Sequence, residues 1–227
     1  MDVLILAGGL GTRLQASFPD TAKPIVPVNE VPFLLVLLKL WASPEVSRFV
    51  ISIGHLAEQI IKTVGPSFAG IPIVYVTEVE PQGTGGAVLK AMQEAKLSLP
   101  FVLLNGDTFF PVKISDLLAR NENYVMALRN VSDASSAGRA NVTTEGIVTD
   151  FLPPAAGASL INGGVALIRK LNYQNSQRPL SLENDIIPAL LKSGENIGSI
   201  VVSSPFVDIG TPQGHREACN LLVKEIL

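Results

Sequence analysis

The residues Leu4-Ile5-Leu6-Ala7-Gly8-Gly9-Leu10-Gly11-Thr12-Arg13-Leu14 carry an apolar run into a glycine turn, with a fixed cation directly behind it. A second cation, Lys23, follows ten residues after Arg13 and is stiffened by Pro24. Without Cβ atoms the backbone of such a turn can pass close to a ligand. Exposed backbone N–H groups together with Arg and Lys suit a polyphosphate. The plain alternative is a tight strand-to-helix turn with a solvated Arg, and Gly-Gly-x-Gly by itself favours neither. The spacing to Arg13 and Lys23 tips the balance to phosphate.

Two familiar phosphate loops are excluded. A P-loop requires Gly-x-x-x-x-Gly-Lys-Ser/Thr, and no such string occurs. A dinucleotide fingerprint needs a third glycine where Leu14 stands and an acidic residue ending the second strand. The second strand candidate, Phe49–Ile53, runs instead into Gly54-His55. Hydride transfer is disfavoured.

Carboxylates come next. Leu103-Leu104-Asn105-Gly106-Asp107 ends an apolar strand in an acidic residue. Ligands of open α/β sheets collect beyond the carboxyl ends of strands, and a carboxylate there can hold Mg²⁺ between protein and phosphate. An isolated Asp would be read as a turn residue; the glycine loop and its cations turn the reading to metal. Phe206-Val207-Asp208-Ile209-Gly210-Thr211-Pro212 offers a second carboxylate in an apolar setting, where Asp is rare unless paired or metal-bound. Thr211-Pro212 there has the form of an N-cap and first helical residue. Asp208 as a simple turn residue is the alternative.

Glu80-Pro81-Gln82-Gly83-Thr84-Gly85-Gly86-Ala87 forms a second glycine-rich strand-to-helix turn, and the Gln82 amide suits a base edge. A flexible helix start would look similar, but two such turns in one half of a sheet favour ligand contact. Asn162-Gly163-Gly164 interrupts a strand as a bulge or close-approach site would. Glu183 reads equally as a charge compensating a helix N-terminus. His55 and His215 have no partner at metal spacing, Trp41 belongs to an apolar helix, and Cys219, the single cysteine, reads as a small apolar residue on the last helix.

These residues need a frame. Strand-like runs Val3–Ala7, Phe49–Ile53, Ile71–Val76 and Phe101–Leu104 alternate with helix-like runs Phe33–Ala42, Ala57–Val64, Gly86–Ala95 and Ile114–Asn121. That order predicts a mainly parallel sheet covered on both faces. The second half changes character: Tyr124–Leu128, Ala140–Thr143, Ile147–Phe151, Ile161–Ile168 and Ile197–Val202 are strand candidates, with helices at Leu182–Lys192 and Gln213–Ile226. The expectation is one α/β domain over 1–227, a nucleotide half of about 1–123 joined to a mixed, antiparallel substrate half of about 124–227.

At 227 residues, 47% hydrophobic and 16% charged, the chain has the size and composition of a globular domain with a good core. A net charge of −3 argues against nucleic acid or an anionic membrane as its main partner. One cysteine excludes a disulfide framework and a thiolate metal site. Val3–Ala7 is too short for a signal peptide and lacks a basic lead-in; the longest apolar run, Val31–Leu38, is far short of a membrane span. A cytoplasmic setting is expected.

Assembled, the motifs resemble those of the sugar-1-phosphate nucleotidyltransferases over nearly the whole chain, and within them most closely those of the D-glycero-α-D-manno-heptose 1-phosphate guanylyltransferases. The resemblance rests on Gly8–Leu14, Lys23-Pro24, Glu80–Gly86, Asn105-Gly106-Asp107, Asn162-Gly163-Gly164, Ser181-Leu182-Glu183 and Val207–Thr211, in this order and spacing. It implies a Rossmann-like three-layer fold and a Mg²⁺-dependent attack of a sugar 1-phosphate oxygen on the α-phosphorus of a nucleoside triphosphate. By that resemblance Leu6, Ala7, Gly8, Gly9, Gly11 and Thr12 cradle the nucleotide together with Asn105. Arg13 holds the triphosphate, Lys23 neutralises the transferring phosphate, and Gln82 and Gly83 read the base. Asp107 and Asp208 hold the metal; Gly106, Asn162, Gly163 and Glu183 face the sugar.

There are departures. Where many relatives carry a Lys-Pro pair this chain has Val31-Pro32, and where they carry Glu-Lys it has Leu152-Pro153-Pro154. The sugar-phosphate site is thereby one cation short, and Arg139, Arg129 and Lys170 are the substitutes to weigh. A C-terminal β-helix, present in some relatives, is expected to be lacking. Thymidylyl, uridylyl or cytidylyl transfer to another sugar, and a catalytically silent nucleotide-sugar sensor, are the competing readings; a homo-oligomer is left open.

Overall fold

The computed structural model describes residues 1–9, 11–14, 17–135, 137–173 and 179–222. Leu10 of the glycine loop and the end of the helix expected to reach Ile226 lie outside them.

The strands are β1 (Asp2–Ala7), β2 (Pro27–Val28), β3 (Val31–Pro32), β4 (Arg48–Ile53), β5 (Ser67–Phe68), β6 (Ile71–Thr77) and β7 (Phe101–Asn105). They continue as β8 (Thr108–Phe109), β9 (Tyr124–Val131), β10 (Arg139–Val142), β11 (Val148–Leu152), β12 (Ser159–Ile168), β13 (Ile197–Val201) and β14 (Val207–Asp208). The helices are α1 (Phe33–Trp41), α2 (Ala57–Val64), α3 (Gly83–Glu94), α4 (Ile114–Leu118), α5 (Ile187–Lys192) and α6 (Pro212–Leu221).

The central sheet runs β6-β4-β1-β7-β12-β9-β13, with the β10–β11 hairpin attached to β12 and β5 paired to β6. β6, β4, β1 and β7 are parallel. β12 alone of the central seven runs against its neighbours, and β13 lies parallel to β9. The mainly parallel sheet and the mixed second half stand as the sequence predicts.

Strand alternation splits the core into two layers, because successive side chains of a strand point to opposite faces. Val3, Ile5 and Ala7 pack with Leu34, Leu38 and Trp41 of α1 and Ile60 of α2. Leu4 packs with Val88 and Ala91 of α3 and Ile187 and Leu190 of α5 on the other face. A third, smaller cluster joins Phe33, Val36 and Leu37 of α1 to Phe109, Val207 and Ile209 and to Ala218 of α6. That cluster fixes the β8–β14 ribbon, a long-range pairing that no local pattern announces.

Several element boundaries differ from expectation, chiefly among the helices. α3 begins at Gly83, three residues early, and α4 ends at Leu118. The single helix expected over Leu182–Lys192 is a π turn (Leu182–Ile186) followed by α5. The Ser181 hydroxyl accepts from the Asn184 N–H at its start, and the Ile187 N–H reaches back to the Leu182 carbonyl. Pro188, which brings no N–H of its own, then sits in the first turn of α5.

Candidate functional site

A cleft of about 270 Å³ opens beyond the carboxyl ends of β1, β6 and β7. Leu6, Ala7, Gly8 and Gly9 form one wall, and Asn105, Gly106 and Asp107 another. Lys23 and Pro24 close the first end; Glu78, Pro81, Gly83 and Thr84 close the other. The two walls touch behind the cleft, where the Gly106 N–H donates to the Leu6 carbonyl at 2.9 Å. A Cβ at Gly106 would stand 2.5 Å from that same oxygen, so only glycine permits the crossing.

The charged end is built from four chain segments. Lys23 lies in a 3₁₀ turn, its ammonium paired directly with the Asp107 carboxylate. Gln59 of α2 clamps the approach to this turn: its Oε1 accepts from the Ala22 N–H at 3.0 Å and its Nε2 donates to the Asp20 carbonyl at 2.9 Å. Asp208 stands opposite Thr108 in the β8–β14 ribbon, and the Ile209 N–H donates to the Asp107 carbonyl. The two aspartates, 101 positions apart in sequence, are thus neighbours. Burial, and then the adjacent Asp107 charge, hold the Asp208 carboxyl above the ordinary carboxylate range, against the pull of the Gly210 N–H, Lys23 and Arg13. A Cβ placed on Gly210 would meet Asp208 Oδ1 at 2.8 Å, Lys23 Nζ at 2.8 Å and Arg13 Nη2 at 3.4 Å, so all three groups converge on one point.

This donor set fits a hard divalent cation. Two neighbouring carboxylates supply oxygen ligands of the kind such an ion takes. Among the described residues no group of three or more His, Cys, Asp or Glu could hold a metal. The remaining ligands of such an ion would be phosphate oxygens and water, which is how Mg²⁺ is usually held.

Helix α6 presses on this ribbon from outside. Thr211 is its N-cap, accepting from the Gly214 N–H, with Pro212 in the first turn, as the sequence predicts. A Cβ at Gly214 would lie 1.8 Å from the Asp208 carbonyl oxygen, so the helix packs against the strand through a glycine.

Other expected site residues have different surroundings. Gly11, at φ +66°, packs on the stem of Lys23, while Thr12 and Arg13 are exposed at the rim. Gly83, at φ +73°, and Gly85 approach the Leu180 backbone, where Cβ atoms would stand 2.4 and 3.1 Å from its carbonyl oxygen. The Gly85 and Gly86 N–H groups donate to that oxygen. The close approach these glycines permit is to the chain's own backbone, with Gly83 alone of the three on the cleft wall. The Gln82 amide donates to the Glu80 carbonyl, and its side chain does not line the cleft.

Asn162-Gly163-Gly164 forms a bulge in the β12–β9 pairing. Asn162 Oδ1 accepts from the Gly164 N–H at 3.1 Å. A Cβ at Gly163 would collide with the Phe110 ring at 2.3 Å, and one at Gly164 with Asn105 Nδ2 at 2.7 Å. The motif backs Asn105 and Phe110 and does not line the cleft. Glu183 accepts from Thr84 Oγ1 and Ser181 Oγ and lines a neighbouring cavity of about 470 Å³ with Gly138, Phe151, Leu152, Pro153 and Pro154. Of the three candidate cations, Arg139 donates to the Pro153 carbonyl at the rim of this cavity, whereas Arg129 donates to the Ser204 carbonyl.

Sequence reasoning missed Glu78 and Ser52. Ser52 is fully buried in β4 and its hydroxyl donates to Glu78 Oε1 at 2.8 Å. A lone hydroxyl within the apolar run Phe49–Ile53, and an acid one residue beyond the end of a parallel strand, are the signals that were present.

Comparison with known proteins bears on this cleft. The chain is 31% identical to the D-glycero-α-D-manno-heptose 1-phosphate guanylyltransferase of Campylobacter jejuni, over 95% of this chain and 97% of that one. It is 29% identical to the enzyme of the same name from Aneurinibacillus thermoaerophilus, with 96% of each chain covered. HddC from Yersinia pseudotuberculosis, solved also in complex with GMP-PN, superposes with a TM-score of 0.84 at 28% identity, covering 97% of this chain and 99% of that one. The family model described as nucleotidyl transferase matches residues 2–225. With a parallel-edge cleft, paired aspartates and a match of that extent, the chain belongs to the nucleotidyl transferase family.

Proposed function

We propose that this protein is a guanylyltransferase that makes a GDP-sugar and pyrophosphate from GTP and a sugar 1-phosphate, the acceptor being D-glycero-α-D-manno-heptose 1-phosphate, for which the Campylobacter and Aneurinibacillus relatives are named. The observation that carries the reading is the convergence of Arg13, Lys23, Asp107 and Asp208 at one end of a cleft whose facing wall is the glycine-rich backbone of Leu6–Gly9.

A phosphate oxygen of the sugar 1-phosphate attacks the α-phosphorus of GTP; the bond from that phosphorus to the bridging oxygen breaks, and pyrophosphate leaves with its electron pair. The nucleophile is already anionic, so no general base is required. Catalysis reduces to positioning and to neutralising charge at phosphorus. Lys23 faces the α-phosphoryl group and Arg13 the departing pyrophosphate. The backbone of Leu6–Gly9 cradles the nucleotide, with Gly11 and Thr12 at its phosphate end and Asn105 and Gly106 across the cleft. Asp107 and Asp208 would hold Mg²⁺, which when bound supplies further charge neutralisation at the phosphates. Glu183, reaching the cleft through Thr84, orients the sugar in the neighbouring cavity, and Arg139 supplies the cation that Leu152-Pro153-Pro154 lacks. Asn162 and Gly163 act indirectly, by shaping the strand behind Asn105.

The two halves work as one domain in this reading, supported by the β7–β12 pairing and by a core shared between Val102, Val125 and Val165. No described helix is long and apolar enough to cross a membrane, which is compatible with a cytoplasmic enzyme. Crossing GTP, CTP, UTP and dTTP with a panel of sugar 1-phosphates, and reading pyrophosphate release with Mg²⁺, tests the proposal. Turnover with GTP and the manno-heptose 1-phosphate is expected. Preference for a pyrimidine triphosphate would overturn the guanylyl assignment, and binding without pyrophosphate release would make the protein a sensor.

A further inference from the structure

Lys23 opens a 3₁₀ turn whose N-cap, Ala22, has no side chain that could cap it. Pro24 fixes φ on the far side of Lys23, but nothing local holds the near side. The Lys23 side chain is nonetheless only 12% exposed and reaches Asp107. The constraint on the start of the turn comes from another element.

That element is α2. Gln59 Oε1 accepts from the Ala22 N–H at 3.0 Å, and Gln59 Nε2 donates to the Asp20 carbonyl at 2.9 Å. One side-chain amide, carrying both an acceptor and donors, thus meets an N–H and a C=O two residues apart. Ala22 is buried, and its own carbonyl takes the Ile25 N–H. Ile60, next to Gln59, is fully buried in the same core cluster as Ala22 and Ile25. The helix also begins at the glycine wall: the Ala57 N–H donates to the Gly54 carbonyl, and a Cβ on Gly54 would stand 3.0 Å from the Gly8 carbonyl oxygen. It is therefore tied at its start to the nucleotide wall and at Gln59 to the Lys23 turn. Gln59 itself does not line the cleft.

We infer that Gln59 is a positioning residue for nucleotidyl transfer: it fixes the backbone from which Lys23 reaches the transferring phosphate, and touches no substrate. This rests on the role of Lys23 proposed above. A lysine is a point charge on a flexible stem, so its aim depends on where its backbone is anchored. Gly11 packs on that stem from one side, where a Cβ would stand 2.8 Å from Lys23 Cβ, and Gln59 holds the main chain that precedes it. A shift of about 1 Å in a group that must meet charge at phosphorus costs on the order of 10²-fold in rate. Two hydrogen bonds from a half-buried glutamine weigh far less in the stability of the whole domain. Loss of Gln59 should therefore appear in the chemistry and not in the fold.

The test is a double-mutant cycle on the intact protein, read as pyrophosphate release with Mg²⁺ and saturating substrates. Gln59→Leu fills the space but pairs with neither backbone group. It should lower kcat by about 10-fold or more, with the KM for GTP within about 2-fold of wild type. Gln59→Glu keeps an oxygen for the Ala22 N–H and should recover most of the loss. In a Lys23→Ala background, itself slower by about 10²-fold or more, Gln59→Leu should change kcat by less than about 2-fold, because the group it aims is gone. A packing role would slow both backgrounds equally. If Gln59→Leu does not fold, Gln59→Ala, a strong helix former at a half-buried position, runs through the same cycle. Equal losses with and without Lys23, an unchanged kcat on removing the amide, or a Gln59→Glu protein as slow as Gln59→Leu would overturn the inference and leave Gln59 as a brace of the fold. A wild type that releases no pyrophosphate from GTP, CTP, UTP or dTTP would instead remove the transfer reading, and the inference with it.

Discussion

The wall of the cleft and the groups around it are made in different ways. In the wall, Leu6–Gly9, Glu78 and Asn105–Asp107 each sit where a parallel strand ends, and their neighbours are the adjacent strands. Around it, Asn162 comes from a bulge, Glu183 from a π turn and Asp208 from a two-residue ribbon, each paired with elements far away in sequence. The first construction places groups by periodicity, the second by packing. Of the surrounding groups, Asp208 meets the end of the wall, where its burial and the adjacent Asp107 charge hold its carboxyl above the ordinary carboxylate range.

The sharpest way to test that division is at the aspartates themselves. Asp107→Asn should lower pyrophosphate release by about 10³-fold or more, since several kcal/mol of charge stabilisation is removed from phosphoryl transfer, while circular dichroism stays native. Asp208→Asn should reduce turnover comparably, but its effect on the fold has the opposite sign to a typical active-site loss. The folded pKa of Asp208 lies above its unfolded value, so the folded state binds more protons and stability rises as pH falls through that window. At pH 7 the ionised group opposes folding. Thermal melts in metal-free buffer should therefore show Asp208→Asn at or above wild type at pH 7, with the advantage shrinking on acidification. A clear loss of stability at pH 7 would show that Asp208 is chiefly a structural ligand of Gly210.

Arg13 lies at the open rim, and Arg13→Ala should cost roughly 10²–10³ in turnover with saturating GTP if it stabilises charge that moves to pyrophosphate. Its melting temperature should not change. Near-normal turnover would remove the triphosphate role.

Two glycines set the comparison in terms of packing. A Cβ on Gly9 meets nothing within 4 Å, whereas one on Gly214 meets the Asp208 carbonyl oxygen at 1.8 Å. Gly214→Ala should lower stability by about 1–3 kcal/mol in chemical denaturation, the usual cost of overpacking. Gly9→Ala should stay within about 0.5 kcal/mol of wild type yet weaken nucleotide turnover, because its methyl enters the cleft. Equal effects of the two on stability would contradict the contrast between an open rim and a jammed ribbon.

The smallest expected effect is at the second cavity. Arg139→Ala should raise the KM for sugar 1-phosphate by about 10-fold, about what a single phosphate contact contributes at a partly exposed site, with the KM for GTP unchanged. A change in both constants, or in neither, would return the missing cation to Arg129 or Lys170.

Much of this molecule was written in local pattern. Apolar runs such as Val3–Ala7 and Phe49–Ile53, each ended by a glycine turn, specify parallel strands and a ligand edge, because strand alternation and the demands of a two-sided core are properties of a few consecutive residues. The glycine loop, Lys23, Asp107 and the Thr211-Pro212 helix start were legible for the same reason. Tertiary structure alone decided the rest. The β8–β14 pairing, which joins Asp107 to Asp208, depends on a small core between α1 and α6. Leu180, brought in from beyond β12, takes up the amides of Gly85 and Gly86, in the turn where contact with a ligand was expected. Asn162 accepts from the Gly164 N–H inside a bulge whose glycines make room for Phe110 and Asn105. Glu78 acquired its orientation from Ser52, a residue of a neighbouring strand. Each of these turns on which distant groups compete for one volume or one hydrogen bond, and that competition is settled only when the sheet is assembled.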